Sequence, residues 1–178
     1  MRAKNKSITT KKLLVKSRQK QSHKVFANGH KPEVNDAPPH VGFGCIIRDS
    51  HGIVLAATQG RMHGNNDPAM AQALAIHEAL SWIKNLHLST IIMESDALLI
   101  IEALNRTDQD SSNLGLIIED CKLLARDVSS CSFSFARRSA NQAAHALARG
   151  TASMPDLVES FVPCPTVISN IIVPDLIS

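Results

Sequence analysis

The chain has no tyrosine, and aromatic residues fill only 3% of its 178 positions, five Phe and one Trp. Stacking successive bases of a single strand on a broad aromatic platform needs more rings than that, so this mode of binding is excluded. No apolar run approaches the roughly 20 residues that span a bilayer. Stretches such as residues 90–93 and 98–101 are the size of single elements. Cysteine is scattered too: Cys45, Cys121, Cys131 and Cys164 form no CxxC pair, which suggests neither a zinc site nor a disulfide framework. Reduced, mostly buried thiols are the reading that fits. The eight His show no ligand spacing. With 44% apolar and 20% charged residues, the chain can bury a real core as one domain plus a tail, which excludes a disordered or collagen-like protein.

Acid is missing from one region. Residues 1–31 hold Arg2, Lys4, Lys6, Lys11, Lys12, Lys16, Arg18, Lys20, Lys24 and Lys31, and no Asp or Glu. The rest of the chain keeps nine of the 19 bases against all 16 acids, a balance of −7. A basic arm on an acidic body suits contact with phosphates. A solvated extension or a transit peptide is the other reading; the arm is Lys-rich rather than Arg-rich, which speaks against transit. A mis-joined exon would give the same pattern. The arm lacks the 7–15-residue apolar stretch of a secretory signal, so the expected location is nucleus or cytoplasm and not outside the cell.

Three parts follow from the patterning: a basic arm over residues 1–40, a domain over 41–152, and a Pro-containing tail over 153–178. Pro38-Pro39 punctuates the first boundary. Residues 41–48 and 53–58 read as strands of a hairpin joined at Asp49-Ser50-His51-Gly52. Asp67-Pro68 opens a helix reaching about Leu86, whose Met70, Ala73, Leu74, Ile76, Ala79, Leu80 and Ile83 recur at three and four. Residues 89–94 form a β-branched run that suits a buried parallel strand. Helices are expected over 97–104, 114–128 and 141–149, and the alternation of Cys131, Phe133 and Phe135 predicts a strand over 130–136. The order β-β-α-β-α-α-β-α describes an α/β domain, a mixed sheet with helices on its faces.

Asp96 stands out by position. It follows a buried strand and precedes a helix, and ligands in open α/β sheets gather outside the carboxyl ends of strands. The period of two places Glu94 on the same side. Asp96 is equally suited to cap the helix that follows.

Three runs carry a resemblance: GFGCIIRDSHGIVLAA, MAQALAIHEALSWIKNLHLSTIIMESDALLIIEAL and SFSFARRSANQAAHALAR. Together they resemble the plant ribonuclease H-like domain related to retroelement reverse transcriptases, over roughly residues 41–152. The resemblance implies the ribonuclease H fold, a five-stranded mixed sheet flanked by helices. It also implies cleavage of the RNA strand of an RNA–DNA hybrid with two Mg²⁺ ions. Such a site holds its hard, oxygen-seeking ions on carboxylates. The family supplies an Asp on the first strand, a Glu on the first long helix, an Asp ending the next strand, and a fourth residue near the start of the last helix.

Carried over position by position, Asp96 matches the strand-ending Asp. The helix Glu falls on Gln72 of Ala71-Gln72-Ala73-Leu74, a neutral amide. Glu78, six residues on, sits some 120° around the helix and is a poor substitute. The fourth position falls on His145 of Asn141-Gln142-Ala143-Ala144-His145, where a His is tolerated and can exchange a proton near neutral pH; an ordinary helix residue is the other reading. Val34-Asn35-Asp36-Ala37 resembles the first-strand block with two residues exchanged. Either that strand is truncated with Asp36 near its end, or it is missing and Ser22–Phe26 or Glu33–Ala37 fills the gap. On this carry-over the catalytic set is Asp36, Gln72, Asp96 and His145, with Asp36 and Asp96 as the metal ligands. Losing the Glu charge beside a divalent ion weakens such a site. The expected function is a nucleic-acid-binding protein, taking an RNA–DNA hybrid or structured RNA without a membrane, on a degenerate nuclease site whose cleavage is impaired. The alternative is a non-catalytic nucleic-acid-binding or protein-interaction module on the same fold.

Overall fold

A computed structural model describes residues 22–30, 40–63, 67–86, 88, 90–108 and 110–151, and the backbone of 159–161. Asp49 shapes the first hairpin: one of its carboxylate oxygens accepts the N–H groups of His51 and Ile53 at 2.9 Å. Gly52, at φ 81°, completes that turn between β2 (His40–Arg48) and β3 (Val54–His63). Asp67 caps α1 (Pro68–Lys84) by accepting the Ala69 N–H at 3.0 Å, and Pro68 supplies the prepared first position. β4 (Thr90–Ser95) and α2 (Leu98–Asn105) follow. Ser112 caps α3 (Asn113–Arg126) through the Gly115 N–H at 3.1 Å. β5 (Ser130–Phe135) and α4 (Gln142–Gly150) end the expected set.

The structure adds a strand in front of that set. β1 (His23–His30) lies inside the segment that composition marks as a basic arm, and it is the centre of the sheet. It runs antiparallel to β2, from Lys24 opposite Arg48 to His30 opposite Gly42, and parallel to β4, with Phe26 opposite Glu94. The first strand is therefore eight residues long and not truncated. Of the two stretches expected to fill its place, Ser22–Phe26 overlaps β1, while Glu33–Ala37 lies outside the described residues. A three-residue strand, β6 (Glu159–Phe161), pairs with β3 from within the expected tail. The sheet order is β5-β4-β1-β2-β3-β6, a mixed sheet flanked by helices.

Alternation along the strands sorts the core onto two faces. Val25, Ala27, Cys45, Ile47, Ile91 and Met93 pack with α1, α2 and α3. On the other face Ile46 and Ala57 meet Ala143 and Leu147 of α4, and Phe26 meets Ala144. Helix α4 comes down onto bare backbone: a Cβ on Gly44 would lie 2.6 Å from the Ala148 nitrogen and against the Ala144 carbonyl. The small residues of α4 and the glycine of β2 thus set how far α4 overhangs the end of β1. Among the described residues no helix is long and apolar enough to cross a membrane. Cys45 and Cys121 are buried and Cys131 half-buried, with burial pushing the Cys121 thiol up to about 12; Cys164 lies outside the described residues.

Candidate nucleic-acid site

β1 and β4 are parallel neighbours, so their carboxyl ends open on the same edge of the sheet, where ligand sites of α/β sheets gather. Asn28 near the end of β1 and Asp96 just beyond β4 meet there: Asn28 Nδ2 donates to Asp96 Oδ1 at 2.8 Å. Asn141, at the start of α4, donates its own Nδ2 to the same oxygen at 2.8 Å and to the Ala27 carbonyl at 3.3 Å. Asp96 does not cap α2, whose capping position, Ala97, makes no side-chain bond.

Gln72 reaches the cluster from α1, but its amide is spent on the main chain. Its Oε1 accepts the Gly29 N–H at 3.1 Å and its Nε2 donates to the Gly29 carbonyl at 3.0 Å. A carboxylate could make only the first of these bonds. His145 arrives from α4 and bonds at both nitrogens, Nδ1 to Asn28 Oδ1 at 3.1 Å and Nε2 to Arg138 Nη2 at 3.1 Å. With a guanidinium donating to Nε2, the ring is a neutral imidazole whose Nδ1–H donates to Asn28. Burial first, then the charges of Arg138, His30 and Arg149, hold His145 below its ordinary pKa, with Asp96 pulling the other way.

The structure thus brings Gln72, Asp96 and His145 into one cavity of about 250 Å³, together with Asn28 and Arg138. Asp36 lies outside the described residues. Glu94 is engaged by Lys24 Nζ at 2.8 Å, and Glu78 faces His77, its Oε1 3.3 Å from Nδ1. Two residues of the cluster were not singled out from the sequence. Asn141 reads only as a helix start. Asn28 occupies the first-strand place at which the resemblance implies an Asp, and its signal in the sequence is the apolar run Val25-Phe26-Ala27 that leads into Asn28-Gly29.

Two Mg²⁺ ions do not fit these donors. Divalent hard ions need carboxylates, and Asp96 is the only carboxylate lining this cavity among the described residues. One of its oxygens already accepts two amide donors. Nowhere among the described residues do three His, Cys, Asp or Glu converge as a metal site would need.

A mixed sheet in this strand order, with a polar cluster where β1 and β4 end, defines a ribonuclease H-like fold. Solved structures agree. The N-terminal RNase H domain of rv2228c from Mycobacterium tuberculosis superposes with TM-score 0.62 at 18% identity, covering 73% of this chain and 92% of that one. RNase H1 of the halophilic archaeon Halobacterium salinarum gives 0.63 at 19%, over 72% and 95%. LC11-RNase H1, solved in complex with an RNA/DNA hybrid, gives 0.61 at 16%, over 72% and 95%. The reverse transcriptase-like family profile matches residues 31–151, and the chain belongs to that family. None of the curated proteins matches it.

Proposed function

We propose that the chain binds nucleic acid, an RNA–DNA hybrid or a structured RNA, and that its hydrolytic step is impaired. The observation that carries this reading is the bonding at the strand ends. Asn28 and Gln72 present amides, Gln72 is committed to Gly29, and Asp96 is held by Asn28 and Asn141. A carboxylate set would repel itself and call for a cation; here the amides of Asn28 and Asn141 donate to Asp96 and that of Gln72 to Gly29, with only the buried Asn141 Oδ1 of this set left without a partner. Binding is supported by the fold it shares with LC11-RNase H1, which was solved with a hybrid, and by the acid-free arm. RNA duplexes and hybrids are recognised mainly through shape, phosphates and 2′-hydroxyls, none of which requires an intact metal site. An arm of this charge suits a nuclear or cytoplasmic location.

The test is a labelled hybrid incubated with Mg²⁺ or Mn²⁺ beside an Asp96→Asn variant. The expected result is retention of hybrid at low salt with no cleavage above background in either protein. Cleavage by the natural chain that vanishes in Asp96→Asn would overturn the reading and show a working metal site.

A further inference from the structure

The strand-end cavity does not stand alone. Arg138 and His145 also line an open depression of about 500 Å³ beside it, completed by Gln142, Ala146 and Arg149. Arg138, Gln142, His145 and Arg149 follow one another at spacings of four, three and four, so from the turn before α4 to its last turn they form one stripe. Gln142, Arg138 and Arg149 are exposed. From Ala136 to Thr151 the chain has three Arg and no acid. His145 is not one of the charges here. It is a positioning residue, gripping Arg138 on one side and Asn28 on the other.

We infer that this stripe is a metal-independent phosphate-binding row, with Arg138 and Arg149 taking the backbone of the nucleic acid that the proposed function calls for. The inference rests on that reading and adds where the backbone lies and what replaces the ions. A guanidinium presents a planar fork of donors that matches phosphate oxygens bidentately. Arg138 before α4 and Arg149 in its last turn place two such forks along one stripe. The row is continuous with the strand-end cavity through Arg138 and His145. A backbone lying on it would pass over the place where Asp96 is masked by amides rather than bridged to phosphate by a cation.

The experiment measures hybrid affinity of the full chain against salt, in EDTA and in Mg²⁺, for the natural chain and for Arg138→Ala/Arg149→Ala. Arg138→Lys/Arg149→Lys and Lys84→Ala serve as controls. Lys84 is an exposed cation at the end of α1, paired with Asp127 at 2.6 Å. All substituted side chains are exposed, and matching thermal unfolding would show that each variant is folded. The expected result is binding in EDTA that is at least as tight as in Mg²⁺, since the ion only competes for phosphate. The double Ala variant should lose about 2 from the slope of log affinity against log salt, one per phosphate contact, and bind at least tenfold more weakly. The Lys pair should recover part of that loss, and Lys84→Ala should bind like the natural chain. Hybrid bound with an unchanged slope in the double Ala variant would overturn the row while leaving nucleic-acid binding intact. Binding that requires Mg²⁺, or displacement by polyglutamate as readily as by hybrid, would also overturn it. No hybrid bound by the natural chain would instead remove the proposed function itself.

Discussion

At residue scale the cluster is defined by what each side chain has given up. Gln72 closes a two-bond clamp between α1 and the main chain of Gly29, and Asn28 donates to the one carboxylate beside it. Restoring acid therefore has a cost. In the double variant Asn28→Asp/Gln72→Glu, Asp96 loses one amide donor and the Gly29 carbonyl loses its partner. Three carboxylates then face one another. Without metal this variant should be less stable by about 1–3 kcal/mol for each partner removed. Mg²⁺ should raise its Tm and leave that of the natural chain unchanged, which thermal unfolding with and without the ion measures. An equal Mg²⁺ response in both proteins would contradict the account of the site.

At the scale of elements, α4 is positioned by what it lacks. Its buried face is Ala143, Ala144, Leu147 and Ala148, and it meets β2 at Gly44, where an added Cβ runs into backbone that cannot rotate away. Gly44→Ala should cost about 1–3 kcal/mol through overpacking, readable as a fall in the urea midpoint. Because α4 carries Asn141, His145 and Arg149, the same variant should weaken hybrid binding without touching any polar residue. An unchanged midpoint would mean that α4 can ride further from the sheet than its contacts with β2 suggest.

For the whole molecule, charge is laid out by face. Residues 98–127, spanning α2 and α3, carry six acids against three bases, a balance of −3, while residues 136–151 stand at +3. The first group packs on one side of the sheet and α4 on the other. The basic N-terminal segment enters the fold at the centre of that sheet, which sets where a truncation can fall. Deleting residues 1–20 removes eight of its ten bases and spares β1; this variant should stay folded and show a flatter salt dependence of binding. Deleting residues 1–31 also removes the strand between β2 and β4 and should abolish cooperative unfolding. A cooperative transition in the longer deletion, followed by circular dichroism, would show that β1 is dispensable.

Local pattern by itself determined the elements from β2 to α4 and the place of Asp96, while Gln72 and His145 followed from the family resemblance. Periodicity, caps and turn residues act over a few positions and can be read there: Asp67-Pro68 starts a helix and Asp49 makes a turn whatever surrounds them. Only the tertiary structure decided the first strand. His23–His30 carries Lys24 and an Asn-Gly pair, the marks of an arm and a turn, and nothing local sets it above other short stretches as the centre of a sheet. What selects it is pairing on both edges at once, with β2 and with β4, nearly 70 residues away, together with cover on both faces. With that strand came Asn28, whose amide occupies an oxygen of Asp96. A hydrogen bond between residues 68 apart leaves no periodic trace in the chain, so the chemistry of the site became visible only once the sheet had assembled.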